Sequence, residues 1–239
     1  GVAVKRLGVC LDSITLLREK SGDTTMDPVH CIALLELANV DSVVYTLFGT
    51  GSKNEVRDLK ILRDCIHSHF NLRIEPSEQT VQLAIHAKAE MVTLLQASEH
   101  SITSIDLTAA EDYLSQLVTS LRNQGIVVNA LIEPDATQIK AAVRIGADYV
   151  DLHAQRFIRA DSMALMEQEV DNLKSMTAAA AKLKLGVSMT GDFSLQSLRE
   201  VSAFEELEEI NIGYSTFGRA VMLGIEPAVR EMMNALKNQ

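Results

Sequence analysis

The stretch "GIVVNALIEPDATQIKAAVRIGADYVDLH", residues 125–153, decides the fold. Its first nine residues form a β-rich apolar run, "GIVVNALIE" (125–133), and its last seven form another, "ADYVDLH" (147–153). Between them "PDATQIKAAVRIGA" carries Ile139, Ala142 and Val143 on one helical face and Gly146 where a helix should stop. Two strands joined through a helix form a parallel crossover unit. Working outward, the same alternation recurs. Strand-like runs stand at 6–12, 41–47, 70–75 and 90–95 before it, and at 185–190 and 209–213 after it. They read as nearly continuous apolar runs, as buried parallel strands do.

Eight strands each followed by a helical segment define a single (β/α)8 barrel filling residues 1–239, with no linker or second domain. The rival, an open doubly wound sheet, expects a GxGxxG after the first strand, and none is there. Asp27 and Pro28 open the helix after the first loop, residues 161–183 form the longest helix, and "EPAVREMMNALKN" closes the chain. The acidic "EELEE" (205–209) reads as a solvated loop before the eighth strand.

Composition excludes several functions. A net charge of −10 and 4% aromatic residues leave no broad basic or stacking surface for nucleic acid. The apolar runs are too short to span a membrane, and the N-terminal "GVAVKRLGVCLDS" lacks a signal-peptide core. Cys10, Cys31 and Cys65 have no metal spacing and fit a reducing, cytoplasmic setting. His67 and His69 read as a solvated helix end rather than a metal site, and His86 and His100 lack ligand partners, so no metal and no cofactor are expected.

A barrel of this class carries its chemistry at the C-terminal ends of its strands. The candidates there are Asp12 and Ser13, Thr46, Arg73 and Glu75, Gln96 and the segment after it, Glu133, Asp151 and His153, Thr190, Gly191 and Asp192, and Gly213, Tyr214, Ser215 and Thr216. Arg73 and Glu75 lie two apart, so both face one side; they are either a site pair, a structural ion pair or a pair turned to the surface. Asp151 is an inward carboxylate, costly without a role. His153 is either a general base or a hydrogen-bonded core histidine. Cys10 is either a nucleophile or an apolar filler. Gly213 is either a turn residue or the approach of the backbone to a phosphate, with Gly191 and Tyr214 completing the cup; Asp192 opposes an anion there.

The chain resembles the pyridoxine 5′-phosphate synthases. The pieces that carry the resemblance are "LGVCLDSITLLRE", "GDTTMDPV", "RDLKILRD", "NLRIE", "IEPDATQIKAAVRIGADYVDLH" and "ELEEINIGYSTFGRAVMLG", in order along nearly the whole sequence. The resemblance implies an eight-stranded barrel, a homo-oligomer and a small phosphorylated metabolite as partner. That family condenses 3-amino-2-oxopropyl phosphate with 1-deoxyxylulose 5-phosphate, using two histidines and a glutamate as proton shuttles. At those three positions this sequence has Thr46, Arg73 and Gly191. The family's asparagine on the first strand is Cys10, the histidine after its aspartate is Ser13, and the first-loop arginine is Ser21. The second-loop arginine and histidine are Phe48 and Lys53, and the histidine after the last strand is Tyr214. A strand-end glutamate is Asp151, while Asp12, Thr103, Gly213 and Gly218 are retained.

Three functions follow as expectations. The first is a diverged member that binds a small phosphorylated carbonyl or amino compound and performs imine, enol or dehydration chemistry. The catalytic set is then Asp151, His153, Arg73 and Glu75, with Asp12, Ser13, Thr46, Thr103, Asp192 and Tyr214 around the substrate. The second is an authentic synthase, and the third a non-catalytic binding or assembly protein. A pocket of converging charged side chains favours an enzyme; a collapsed apolar one favours the third reading.

Overall fold

The computed structural model describes residues 4–99 and 101–237; His100 lies outside the described residues. Among the described residues ten strands are formed: β1 (Arg6–Cys10), β2 (Ser42–Thr46), β3 (His69–Ile74), β4 (Met91–Leu94), β5 (Gln96–Ser98), β6 (Ser101–Thr103), β7 (Val127–Ile132), β8 (Tyr149–His153), β9 (Gly186–Thr190) and β10 (Glu209–Ile212). Eight of them close a parallel barrel in the order β1-β10-β9-β8-β7-β4-β3-β2. These are the eight strands expected from the sequence. β5 and β6 form a separate antiparallel hairpin above β4, pairing Gln96 with Thr103 and Ala97 with Ile102. Its three-residue strands are too short to show a period, so pattern reading misses them.

Local signals set the helices. Asp27 caps Pro28–Leu37, its side chain accepting from the Val29 N–H at 3.0 Å. Asp135 caps Ala136–Ile145, and Gly146 closes it at φ 84°. Ile139 and Ala142 of that helix are buried, but Val143 is 42% exposed; the buried face runs through Ala141 and Ile145 instead. The alanine-rich helix is Met163–Lys182, and the last is Ile225–Lys237.

Two cores result from strand alternation. Leu7, Val43, Tyr45, Phe70, Leu72, Val92, Val128, Val150, Val187 and Ile210 join one continuous apolar cluster with the helices. The alternate residues fill the barrel interior, and most of those are polar. Thr93 donates to Asn71 Oδ1 at 2.8 Å, and the Asn129 amide reaches Thr93 and Ser188 at 3.3 and 3.4 Å. The strands are thus not uniformly apolar: they carry a polar lumen inside an apolar shell. The acidic run before β10 also differs from expectation. Glu205 and Glu206 are exposed, but Glu209 belongs to β10, is 4% exposed and takes a hydrogen bond from Arg6 Nε at 3.1 Å. Likewise His69 opens β3 rather than ending a helix, and its Nδ1 is buried without a partner, while His67 is exposed.

Candidate active site

The polar lumen opens at the C-terminal end of the strands into a cavity of about 350 Å³. Among the residues singled out from the sequence, Cys10, Asp12, Arg73, Thr103, His153, Thr190, Gly191, Asp192, Gly213 and Tyr214 line it. They come from five of the barrel's strand ends and from the hairpin, so closure of the barrel assembles them.

Arg73 sits at the bottom, 1% exposed. Its Nη2 donates to Thr190 Oγ1 at 2.8 Å, and that hydroxyl donates on to Asp151 Oδ2 at 2.7 Å. Asp151 lies below the lining, fully buried, with its carboxylate 4.0 Å from Arg73. Burial pushes the Asp12 and Asp151 carboxyls above their ordinary values, and the Arg73 cation partly pulls both back. Burial works against the charge on Arg73 itself, but Cys10, Asp12 and Asp151 outweigh it and hold the guanidinium protonated. The thiol of Cys10 is pushed up to about 12 by burial, so it is a filler and not a thiolate nucleophile at neutral pH.

Several buried polar atoms here have no protein partner. They are Arg73 Nε, Asp12 Oδ1, and both amide atoms of Asn211. All three residues line the cavity. Unmade buried hydrogen bonds each cost about 1–3 kcal/mol, so this cluster is built to be completed by something that enters.

His153 stands on the wall. Ser104 Oγ donates to Glu133 Oε1 at 2.8 Å and lies 3.2 Å from His153 Nδ1, which is 3.6 Å from the same carboxylate oxygen. The His153 hydrogen bond, with Ser104 beside it, holds the Glu133 carboxyl below its usual value despite burial. Glu133 and Ser104 thus occupy Nδ1, and among the described residues Nε2 has no partner.

The two loop glycines sit where their neighbours come close. A Cβ on Gly191 would come 2.4 Å from Ile158 Cδ1, and one on Gly213 would come 3.2 Å from Cys10 Cβ. Gly213 has φ −123°, so it is not a left-handed turn residue; it caps the helix Tyr214–Leu223. Asp192 accepts from Gln155 Nε2 at 3.2 Å, while its own N–H donates to Gln155 Oε1 at 3.3 Å. Tyr214 is 49% exposed, and burial, followed by Asp12 and Asp192, pushes its phenol up.

Three candidates fall elsewhere. Glu75 lies beyond the end of β3, exposed and outside the cavity lining, so it does not pair with Arg73. The strand ends at Ile74, and the two-residue alternation no longer applies one step later. Thr46 is buried beside Arg73 in register and lines a neighbouring depression with Phe48. Ser13 is half-buried in the first helical turn and does not line the cavity. Sequence reading missed Asn211, Gln155 and Arg159. Asn211 was findable, two residues before Gly213 on the same side of its strand. Gln155 opens the single helical turn Gln155–Ile158 and Arg159 caps it, and one turn is too short to carry a periodic signal.

A closed parallel barrel with a polar, partly unsatisfied pocket at its strand ends defines the class of (β/α)8 barrels, with the pocket at the end where this fold carries its sites. Within that class, residues 7–238 match the family model described as pyridoxal phosphate biosynthesis protein PdxJ, and the chain belongs to this family. It is 34% identical over 235 residues to a pyridoxine 5′-phosphate synthase of Citrifermentans bemidjiense, covering 97% of this chain and 98% of that one. A synthase of Synechococcus is 34% identical over 233 residues, with 96% and 98% covered. Among solved structures, 3-keto-L-gulonate-6-phosphate decarboxylase from Vibrio cholerae superposes with a TM-score of 0.66 at 13% identity, covering 98% and 99%, a likeness of fold alone.

Proposed function

We propose that this chain binds a small phosphorylated carbonyl or amino compound in the barrel mouth and performs imine, enol or dehydration chemistry on it. The carrying observation is the convergence of Arg73, Asp12 and Asn211 on one cavity with unpartnered buried atoms. Arg73 Nε and the Asn211 amide offer donors to a carbonyl oxygen, and Asp12 offers an acceptor to a hydroxyl or ammonium. A fixed cation facing that oxygen stabilises the negative charge that develops on enolisation. His153, with Nδ1 engaged by Glu133 and Ser104, is the group that moves the proton through Nε2. Asp151 and Thr190 hold Arg73 in place. The phosphate lies at Gly191, Gly213 and Tyr214, where the helix Tyr214–Leu223 presents free N–H groups.

The test is solvent exchange. The purified protein is incubated with dihydroxyacetone phosphate in deuterated buffer, and exchange of the hydrogens next to the carbonyl is followed by NMR. Protein-dependent exchange is expected, falling about a hundredfold or more in His153→Gln. Binding without exchange would instead support a non-catalytic ligand-binding role.

A second reading is favoured by the full-length match to relatives named pyridoxine 5′-phosphate synthase. On that reading the chain condenses 3-amino-2-oxopropyl phosphate with 1-deoxyxylulose 5-phosphate. Its difficulty is Thr46, Arg73 and Gly191, none of which shuttles protons near neutral pH. Growth of a vitamin B6 auxotroph carrying this gene, at near wild-type rate, decides for the second reading.

A further inference from the structure

Beside the mouth cavity, past the end of β8, lies a second depression of about 340 Å³, bordered by Glu133, Leu165 and Glu169. His153, Gln155 and Arg159 line both spaces. The charges at this junction are unevenly committed. Arg73 is sealed below and engaged with Thr190 and Asp151. Arg156 points to Glu169 at 3.0 Å. Asp192 is tethered by Gln155. Arg159 is exposed; its backbone N–H donates to the Gln155 carbonyl at 2.9 Å, but its side chain makes no hydrogen bond or ion pair among the described residues.

A cation left free where two cavities meet has a ligand group as its natural counterpart. The cavity's orphaned atoms, Arg73 Nε and the Asn211 amide, independently mark the same space as built for a polar guest. A second phosphate dianion is disfavoured, because Asp12 and Asp192 line the mouth. A singly charged, planar carboxylate fits the fork of a guanidinium and adds less repulsion. We propose that Arg159 binds a carboxylate of the ligand, so that this site prefers phosphorylated hydroxy-, oxo- or amino acids over simple phosphorylated ketones. This rests on the phosphorylated-ligand reading above. The carboxylate lies at Arg159, the hydroxyl or carbonyl carbon over Arg73 and Asp12, and the phosphate at the β9 and β10 loops.

Calorimetric titration with a matched pair of probes tests it. 3-Phosphoglycerate and glycerol 3-phosphate share a three-carbon phosphate and differ in the carboxylate; malonate carries carboxylates without phosphate. The unmodified chain should bind 3-phosphoglycerate roughly tenfold more tightly than glycerol 3-phosphate. In Arg159→Gln that preference should shrink to within about twofold, with glycerol 3-phosphate unaffected. Thermal melts confirm that the variant, altered at an exposed side chain, is folded. A preference that survives the substitution, or equal binding of both probes to the unmodified chain, overturns the assignment. If neither phosphate ester binds but malonate does, and Arg159→Gln abolishes it, the carboxylate site stands and the phosphorylated-ligand reading falls. If none of the three binds, both fall.

Discussion

The two ends of this barrel use the same kinds of side chain to opposite effect. At the base, Glu209 takes Arg6 Nε at 3.1 Å, Glu208 accepts from the Tyr149 hydroxyl at 2.6 Å, and Lys5 donates to the Phe204 and Leu207 carbonyls at 2.5 and 2.9 Å. Asp41 meets Lys237 at 2.7 Å and the Leu7 N–H at 2.8 Å. Those ionic groups are answered by the protein. At the mouth, Arg73 and Asp12 keep atoms unanswered at equal or deeper burial. Charge at the base closes the barrel, whereas charge at the mouth leaves it short of partners. The difference separates stability from function in this fold.

Removing the cation that holds the mouth together should have the largest effect. Arg73→Met leaves Asp12 and Asp151 buried with their principal opposing charge gone. We expect a loss of about 3–5 kcal/mol at neutral pH, measured by urea unfolding. The sign of the pH dependence follows from the raised carboxyls. Without Arg73 they rise further, so the native state takes up protons more readily as pH falls, and the deficit should shrink in mildly acidic buffer. A deficit that grows on acidification would show that the two carboxylates do not face Arg73.

The contrast between the two ends was only partly legible in the sequence. The eight strands and their order could be read because each short run is flanked by capping and stop signals, as with Asp135 and Gly146. The mouth was legible wherever strand alternation reaches its last residue: Cys10, Arg73, His153 and Gly213 were all placed that way. It failed one step beyond the strand, at Glu75, and on the short turn bearing Gln155 and Arg159, because loops have no period to read. The base was misread at Glu209, whose run of acidic neighbours hides that one member turns inward to Arg6. Composition cannot tell an inward charge from an outward one; the pairing partner lies on another strand about two hundred residues away in sequence.

His69 is a titratable exception to the satisfied base, beside the unpartnered Ser42 hydroxyl, and it sharpens the comparison through pH. Burial holds its imidazole below the ordinary value of 6.5; Glu90 pushes it back up, and Arg6 and Arg63 push it further down. The unfolded chain therefore takes a proton at a pH where the folded chain does not. Stability contributed here is lost as pH falls from about 6.5 through the lowered value. Asp12, Asp151 and Glu209, all raised by burial, act the other way: their contribution falls as pH rises from the carboxylate range through the raised values. Subtracting the unfolding curves of His69→Gln from those of the unmodified chain isolates the imidazole. The variant should lose less stability than the parent between about pH 7 and pH 5. Parallel curves would mean that His69 is as free to protonate when folded as when unfolded.

The smallest effect concerns the glycine pair that brackets the last strand's loop. Gly213 and Gly218 are both retained from the family pattern, but the structure separates their reasons. Gly213 has Cys10 Cβ at 3.2 Å from where its own Cβ would be, so an added methyl must push the first strand aside. Gly218 lies within the helix Tyr214–Leu223, is not among the residues with positive φ, and a Cβ there meets nothing within 4 Å. A helical glycine with open space costs stability relative to alanine through backbone entropy. Gly218→Ala should therefore raise stability by about 0.5–1 kcal/mol and leave glycerol 3-phosphate binding unchanged, since Gly218 does not line the cavity. Gly213→Ala should do the reverse, weakening both. If Gly218→Ala instead stabilises the protein and weakens the phosphate ester, the anion site extends one helical turn beyond Gly213, and the ligand's phosphate sits against the helix side rather than at its first N–H groups.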